Sequence, residues 1–482
     1  MMDRRSFLVL SAVGAAAGVV GACSSRPGNP PAVTTGPAAG GKAHEAALNA
    51  AETEIDLGGV SVRTWTYGGQ LPGKEIRLRK GQTLRVPVTN NLPAETTVHW
   101  HGLAVPNAMD GVPGLTQSAI ASGGNFHYEF AVPDAGTYFL HPHVSGTQLD
   151  RGLYAPLIVE DPAQRVDYDD ELVVVLDDWI DGTGTTPDQV LDNLKKAGMG
   201  NMGEMEAPDV TPTTPLGDDG GDVKYPYYLI NGRVNTDPQV KDYRRGQRVR
   251  LRIINAGGDT AFRVAVPETE LNLTHTDGYP VVAQRASSVI LGMGERVDAT
   301  ITIGSSVPLI AVPERKDGYA QLNLRVDGAP GAVNVDEFVK NLRTARVLNT
   351  AHLTPAPEVV LPQRNPDTTL DMRIAGPVNG YTWPVNGKLF DPPNNGLAVK
   401  TGQRVRIRFI SESMMFHPMH LHGHTFQVVQ PNNAGARKDT VLVAPGETVE
   451  VDFDTNNPGR WVVHCHDDYH LDTGLATYLY YT

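Results

Sequence analysis

The sequence predicts an all-β protein built from three similar domains. A glycine that opens an alternating apolar and polar strand occurs three times, in residues 80–86, 245–251 and 401–407. These segments lie about 160 residues apart, so each repeat has the size of a whole domain. The 50 glycines and 36 prolines favour many turns and short strands. A chain of 482 residues is also long enough for about three domains.

The ends of the repeats divide the chain. The first and third repeats close on the same pattern, a glycine, four further residues and then a His-x-His pair, which begins at Gly136 and again at Gly459. The second repeat lacks such a pair, so it is predicted to be a spacer without metal ligands. The predicted domains are residues 44–163, 164–350 and 351–482.

One segment interrupts the strand pattern of the second domain. Residues 183–222 contain a predicted short helix over 187–196 and then a glycine-rich stretch with Met199, Met202 and Met205. We expect a long surface excursion, because an insertion of this length is tolerated best outside the core.

The N-terminus has the composition of an export leader. Arg4 and Arg5 resemble a twin-arginine signal, and Val20-Gly21-Ala22-Cys23 resembles a bacterial lipobox. We expect residues 1–23 to be the signal, Cys23 to carry a lipid, and residues 24–43 to form a flexible tether. The protein is then exported to the bacterial cell envelope or periplasm and meets the membrane only through this lipid.

Charge and cysteine content exclude other classes. A formal net charge of −13 argues against nucleic acid as a partner. The two cysteines have separate predicted uses, so no disulfide framework is expected.

Cys465 lies between His464 and His466. Alternate side chains of a strand point to opposite faces, so the two histidines face one way and the thiol faces the other. One strand could therefore hold metal on both faces, with a few covalent bonds between the two sites. Such a layout suits electron transfer.

The other histidines follow the same spacing. Ten of the 15 histidines fall in four clusters, namely His99/His101, His141/His143, His417/His420/His422 and His464/His466/His470. A lone His-x-His pair is usually structural, but four clusters around a single cysteine indicate a metal protein.

The four clusters, in this order, resemble the four copper signatures of the multicopper oxidases. The resemblance covers nearly all of the chain after the leader. It implies three cupredoxin-like Greek-key β-sandwich domains and four copper ions, one of type 1, one of type 2 and two of type 3. It also implies an enzyme that removes single electrons from a small reducing substrate and reduces O2 to water.

The resemblance assigns the ligands by position. His417, Cys465 and His470 match the type 1 site, with Leu475 at the axial place where a methionine often stands. His99 and His420 match the type 2 site. The type 3 pair takes the remaining six histidines of the paired motifs, which are His101, His141, His143, His422, His464 and His466. Since leucine cannot donate, Cu(I) is favoured and a high type 1 potential is expected.

Oxygen reduction also needs protons. Asp110 follows the first histidine pair, and Asp468 lies between His466 and His470. Both are candidate proton relays, because a tuned carboxylate can pass protons. A turn-forming role for Asp110 and a solvated or supporting role for Asp468 remain open. Asp439 is a candidate for orienting a copper ligand, or for a plain structural hydrogen bond.

The reducing substrate is less clear from the sequence. Thioethers favour Cu(I), so Met199, Met202 and Met205 suggest a cuprous substrate and a role in copper detoxification. Three further methionines surround His417, namely Met414, Met415 and Met419. The loop methionines could equally be incidental, and those near His417 could pack the core.

The sequence is compatible with other functions. A laccase-like phenol oxidase and an Fe(II) or Mn(II) oxidase fit the same ligands. A copper-binding envelope protein without turnover is a different class, and the complete ligand set argues against it.

Overall fold

The computed structural model describes residues 43–164, 166–198, 210–211, 213–431 and 434–482. The predicted leader, residues 24–42 of the tether and the three loop methionines lie outside these ranges. Within the described residues, no helix is both long enough and apolar enough to span a bilayer.

The first domain is a sandwich of two sheets. One sheet has the order β1-β5-β2-β3 with β7 also paired to β5, and the other has the order β4-β9-β8-β6. Strands β1 to β9 lie at His44–Glu45, Leu48–Asp56, Ser61–Tyr67, Ile76–Arg79, Thr83–Asn91, His99–His101, Asn125–Ala131, Gly136–His141 and Ala155–Glu160.

The second domain has the same two-layer plan. Its sheets have the orders β12-β11-β10-β14-β19-β16-β17 and β13-β21-β20-β15-β18-β22. Strands β10 to β22 lie at Asp170–Trp179, Tyr227–Ile230, Arg233–Val234, Val240–Tyr243, Arg248–Asn255, Phe262–Ala265, Leu271–Thr276, Tyr279–Ala286, Val289–Leu291, Arg296–Thr302, Val307–Pro313, Ala320–Val326 and Leu348–Asn349.

The third domain closes the chain. Its sheets have the orders β23-β25-β30-β27-β28 and β24-β32-β31-β26-β29. Strands β23 to β32 lie at Thr368–Ile374, Leu397–Val399, Arg404–Ser411, His417–Leu421, Phe426–Val429, Ala434–Lys438, Thr440–Val443, Thr448–Asp454, Arg460–Cys465 and Ala476–Tyr481. The all-β, cupredoxin-like expectation is confirmed, whereas the domain boundaries stay predictions.

Helices are short and lie between the strands. The predicted helix of the excursion forms at Pro187–Ala197, where Thr186 and Gln189 make a reciprocal capping box. In chain order, α1 to α4 lie at Gly146–Leu149, Pro187–Ala197, Val335–Leu342 and Asp468–Leu471. Single 3-10 turns lie at Asn107–Met109, Thr350–His352 and Pro357–Val359.

The three glycine motifs occupy equivalent places. The strands that follow them, β5, β14 and β25, each pair in parallel on one side and antiparallel on the other; β5 pairs in parallel with both β1 and β2. Gly81, Gly246 and Gly402 have φ angles of 80°, 83° and 83°, in the left-handed region that favours glycine. The repeat seen in the sequence is therefore a repeat of topology.

The first and third domains meet at their helical turns. Helix α1 packs against α4, and Ser145 donates a hydrogen bond to Asp472. A Cβ atom added at Gly146 would lie 2.6 Å from the Cβ atom of Asp468 and 2.7 Å from its backbone. Only a glycine fits this contact, which places α4 and its histidine against the first domain.

Gly146→Ala should therefore loosen the junction. Overpacking of a close contact costs about 1–3 kcal/mol, so we expect a lower melting temperature in thermal unfolding. Gly304→Ala is the matched control, because a Cβ atom there meets nothing within 4 Å. Equal melting temperatures for the two variants would show that the contact is not tight.

Candidate metal centre

Strand pairing brings the histidine clusters together. In the first domain β6 pairs with β8, which sets His99 opposite His141. In the third domain β26 pairs with β31, which sets His420 opposite His464. Each domain therefore presents two His-x-His pairs side by side, and the two domains face each other across a buried pocket.

The pocket holds eight histidines at ligand distances. His422 Nε2 and His464 Nε2 are 3.0 Å apart, and His143 Nε2 is 3.4 Å from His464 Nε2. On the other side, His101 Nδ1 lies 3.2 Å from His466 Nε2. None of these rings is more than 9% exposed. The structure thus brings together all the type 2 and type 3 ligands that the sequence predicts.

Backbone carbonyls fix which ring nitrogen is free. His99 Nδ1 lies 2.9 Å from the carbonyl of Asp110, and His420 Nδ1 lies 2.9 Å from that of Asp439. A carbonyl only accepts, so Nδ1 carries the proton and Nε2 keeps its lone pair. The Nε2 atoms of His99, His141 and His420 are buried without a hydrogen-bond partner.

A second site lies on the other face of β31. Cys465 Sγ is 3.7 Å from His417 Nδ1 and 3.7 Å from His470 Nδ1. All three side chains are fully buried. Leu475 is buried beside them, and its carbonyl accepts the Cys465 N–H at 3.0 Å. This arrangement of one thiol and two imidazoles has the donor set of a blue-copper site.

Burial sets the protonation states. It lowers the pKa values of His101, His141, His143, His417, His422, His464 and His466 well below their usual range, so these rings are neutral. It also raises the pKa of the Cys465 thiol well above its usual range. A bound cation is the partner that could stabilise this buried thiolate, and neutral imidazoles are the form that binds a metal.

The residues fit copper on three grounds. They offer unpartnered imidazole nitrogens and a soft sulfur, and Asp439, the carboxylate that clusters with His101 and His420 among the described residues, is already paired with Arg296. When bound, copper would supply reversible one-electron chemistry at both sites. The chain itself contributes the rigid, water-poor pockets and the covalent link from Cys465 to His464 and His466.

Comparison with known proteins decides the family. Profiles described as multicopper oxidase match residues 49–164, 170–308 and 363–482. The multicopper oxidase MmcO of Mycobacterium tuberculosis (strain ATCC 25618 / H37Rv) is 41% identical, with 99% of this chain and 96% of that protein covered. The chain belongs to the multicopper oxidase family. It is an oxygen-dependent copper oxidoreductase.

A more distant sequence relative and a solved structure are also similar to the chain. The copper resistance protein A homolog of Pseudomonas syringae pv. tomato (strain ATCC BAA-871 / DC3000) is 26% identical, over 89% of this chain and 90% of that protein. The crystal structure of Fet3p, described as a multicopper oxidase that functions in iron import, superposes with a TM-score of 0.77. It is 22% identical and covers 91% of this chain and 90% of its own.

The three predicted acids are all buried, but they differ in their hydrogen-bond partners. Asp110 is fully buried, and its Oδ2 lies 3.0 Å from His422 Nδ1. Burial raises the pKa of Asp110. Burial, followed by the charge of Asp150, raises the pKa of Asp468 further, and its Oδ2 has no hydrogen-bond partner. Asp439 accepts from His101 Nε2 at 3.2 Å, as an orienting residue would.

The predicted methionines fall into two groups. Met415 and Met419 are buried in the core shared by the second and third domains. They pack rather than face solvent. Met199, Met202 and Met205 lie outside the described residues, so their predicted role as Cu(I) ligands stays a prediction.

Two partners of the mononuclear site were missed by the sequence reasoning. Asp222, from the second domain, lies with Oδ2 3.2 Å from His470 Nε2. Ser413 lies with Oγ 2.6 Å from His417 Nε2. Asp222 is 248 residues from its partner, and no spacing rule predicts it. The nearness of Ser413 to His417 was the one available signal.

Leu475→Met tests the electronic role of the leucine. A thioether at this place would add a weak donor that stabilises Cu(II), so the type 1 potential should fall in a redox titration. Leu479→Met is the control, because Leu479 is buried in the same core but lies on β32 opposite Trp461 rather than opposite Cys465. An unchanged or raised potential in Leu475→Met would contradict the assignment.

Proposed function

We propose that this enzyme oxidises Cu(I) to Cu(II) with O2 as electron acceptor, and so lowers copper toxicity in the cell envelope. The observation that carries the proposal is the carboxylate of Asp222 on the outer nitrogen of His470. We propose four copper ions, with the mononuclear site at His417, Cys465 and His470 as the electron entry. The other eight histidines then hold the type 2 copper and the type 3 pair.

Asp222 gives the entry site a negative charge. Burial alone would raise the pKa of Asp222. The hydrogen bonds and charges around the carboxylate, led by the hydrogen bond to His470, together outweigh burial and lower this pKa, so the carboxylate stays ionised. Tyr381 donates a second hydrogen bond to Asp222 Oδ2 at 2.5 Å. A fixed anion beside a ligand of the electron-accepting site attracts a cation and stabilises it as its charge rises from Cu(I) to Cu(II).

The flanks of the methionine-bearing segment support the same substrate. Helix α2 ends at Ala197, and a Cβ atom added at its C-cap residue, Gly198, would lie 3.3 Å from Gly380 Cα. Gly380 adjoins Tyr381, which binds Asp222. The chain therefore leaves the described structure at Gly198, beside the residue that precedes Tyr381. We propose that the thioethers of the segment that follows Gly198 serve as soft ligands for Cu(I).

The leader and a relative support the location and role. Arg4, Arg5 and the segment ending at Cys23 favour export and lipid anchoring, and a cell-envelope enzyme would meet copper before it enters the cytoplasm. The copper resistance protein A homolog carries copper resistance in its name. Steady-state assays with Cu(I), Fe(II), Mn(II) and a phenol, side by side on the purified protein, distinguish these donors.

Asp222→Asn should impair Cu(I) oxidation. Loss of a charged hydrogen-bond acceptor costs about 1.5–3 kcal/mol, so kcat/KM for Cu(I) should fall about tenfold or more in oxygen-uptake assays. Asp218→Asn is the matched control, since this substitution removes the same charge from an exposed position on the same loop. Equal effects of both changes would show that Asp222 acts only through the net charge of the protein, and would contradict its specific role at His470.

The methionines are tested by replacing all three with leucine. Met199→Leu, Met202→Leu and Met205→Leu together should raise KM for Cu(I) several-fold, because leucine has no thioether lone pair. Steady-state rates with Fe(II) and with a phenolic donor should not change, which makes the same variant its own control. Unchanged Cu(I) kinetics would remove the segment from the proposal, and a phenol preference in the wild type would favour the laccase-like alternative.

Protons for oxygen reduction are proposed to pass through Asp110, with Asp468 as a second carrier. Asp110→Asn keeps the shape and the contact with His422 but cannot exchange a proton. We expect oxygen turnover to fall about 100-fold, in the range typical of a lost general acid. Reduction of the mononuclear site by substrate, followed by stopped-flow absorbance, should stay normal. Full turnover in Asp110→Asn would assign the role to Asp468, which Asp468→Asn would test.

A further inference from the structure

The second domain carries no predicted copper ligand, yet it reaches the trinuclear pocket. Arg296, at the start of β19, is fully buried and lies against Asp439 of the third domain. Its Nη1 and Nη2 atoms donate to the two carboxylate oxygens at 2.7 and 2.6 Å. This fork-to-fork geometry fixes the plane of a carboxylate as well as its charge.

His101 differs from four other ligand rings in its orientation and in the partner of its outward nitrogen. His99, His141, His420 and His464 donate Nδ1–H to a backbone carbonyl and turn Nε2 into the pocket. His101 is reversed, with Nδ1 toward His466 and Nε2 pointing outward. Its outward nitrogen meets Asp439 Oδ1 and Thr440 Oγ1, each at 3.2 Å, instead of a carbonyl.

The position of Asp439 is in turn set by the second domain. Asp277 Oδ2 accepts the backbone N–H groups of Asp439 and Thr440 at 3.3 and 3.2 Å. Asp277 Oδ1 accepts the N–H of Arg296 at 2.9 Å. Lys438 Nζ is 3.0 Å from Asp277 and 3.0 Å from Glu295. All five charged side chains are fully buried, so each is held by the others.

The backbone next to Arg296 also lies on the ligand rings. A Cβ atom added at Gly294 would lie 2.7 Å from His466 Cδ2 and 2.9 Å from His101 Cε1. Arg296 Nη1 donates to the Gly294 carbonyl at 3.0 Å. Arg296 thus binds both the Asp439 carboxylate, which contacts His101, and the backbone of Gly294, which packs against the same ring.

We propose that Arg296 is a positioning residue for the type 3 copper pair: its bidentate bond to Asp439 holds His101 with Nδ1 facing the metal. The copper-free second domain thereby determines whether the trinuclear centre loads. The proposal rests on the assignment of His101 to the type 3 pair, and it is independent of which substrate donates the electrons.

Arg296→Met tests the proposal in the full-length, copper-loaded protein. Partners that orient a metal ligand contribute about 10- to 100-fold to metal affinity. We expect type 3 copper to be lost to a chelator at about 10- to 100-fold lower concentration, together with the near-ultraviolet absorption of the coupled pair. The visible band of the cysteine-bound copper should remain, because Arg296 does not contact that site.

Arg263→Met is the matched control. Arg263 is also buried in the second domain and pairs with a buried glutamate, Glu314, through Nη2 at 2.7 Å. Among the described residues neither Arg263 nor Glu314 contacts a ligand histidine. The change should lower the melting temperature as much as Arg296→Met does, but leave copper content and both absorption bands intact.

A double variant separates orientation from charge. In Arg296→Met with Asp439→Asn the carboxylate that Arg296 bound is gone, and Asp277, which lies 3.6 Å from Arg296 Nη1, keeps Lys438 as a partner, so the melting temperature should recover. The proposal predicts that type 3 copper stays weakly bound, since the amide lacks the guanidinium that held it in plane. Recovery of copper along with stability, or full copper retention in Arg296→Met, would overturn the proposal and leave Arg296 a purely structural residue.

Discussion

The constraint on which the site depends is the two-fold alternation of one strand. In β31 and the residue that follows it, His464 and His466 face the pocket of eight histidines, while Cys465 faces the second site with His417 and His470. Antiparallel pairing with β26 repeats the arrangement, because His420 lies opposite His464 while His417 reaches the face of Cys465. A shift of register by one residue would exchange the faces and separate every ligand from its partners. The sheet thus fixes both sites and the covalent path between them.

Much of this centre could be predicted from the sequence, because the spacing of its ligands follows the strand period. His99 and His101, for example, needed only the assumption of an extended segment. The supporting residues could not be found that way. Asp222 comes from a loop of the second domain, and Arg296 lies 143 residues from Asp439. Their partners are set by how domains pack, which no local pattern records. The topological repeat was visible because a left-handed glycine is required at each of its turns.

The second domain emerges as more than a spacer. It supplies the carboxylate on the outer face of the mononuclear site and the buried charged cluster behind the trinuclear one. Both contacts depend on burial, since a salt bridge that is exposed contributes little to orientation. The first and third domains carry the metal ligands, and the second holds them at two points. These two contacts hold the ligands of both pockets in position, which matters because the residues that orient metal ligands contribute strongly to metal affinity.

Replacing Cys465 with serine tests most directly whether one thiolate joins the electron entry to the oxygen-reducing centre. The variant should be measured for copper content, absorption and oxygen uptake with a reducing substrate. We predict that the visible charge-transfer band disappears and oxygen uptake stops, while the near-ultraviolet absorption of the type 3 pair remains. Oxygen uptake at the wild-type rate, or wild-type protein fully loaded with copper that shows no sulfur-bound copper, would contradict this account.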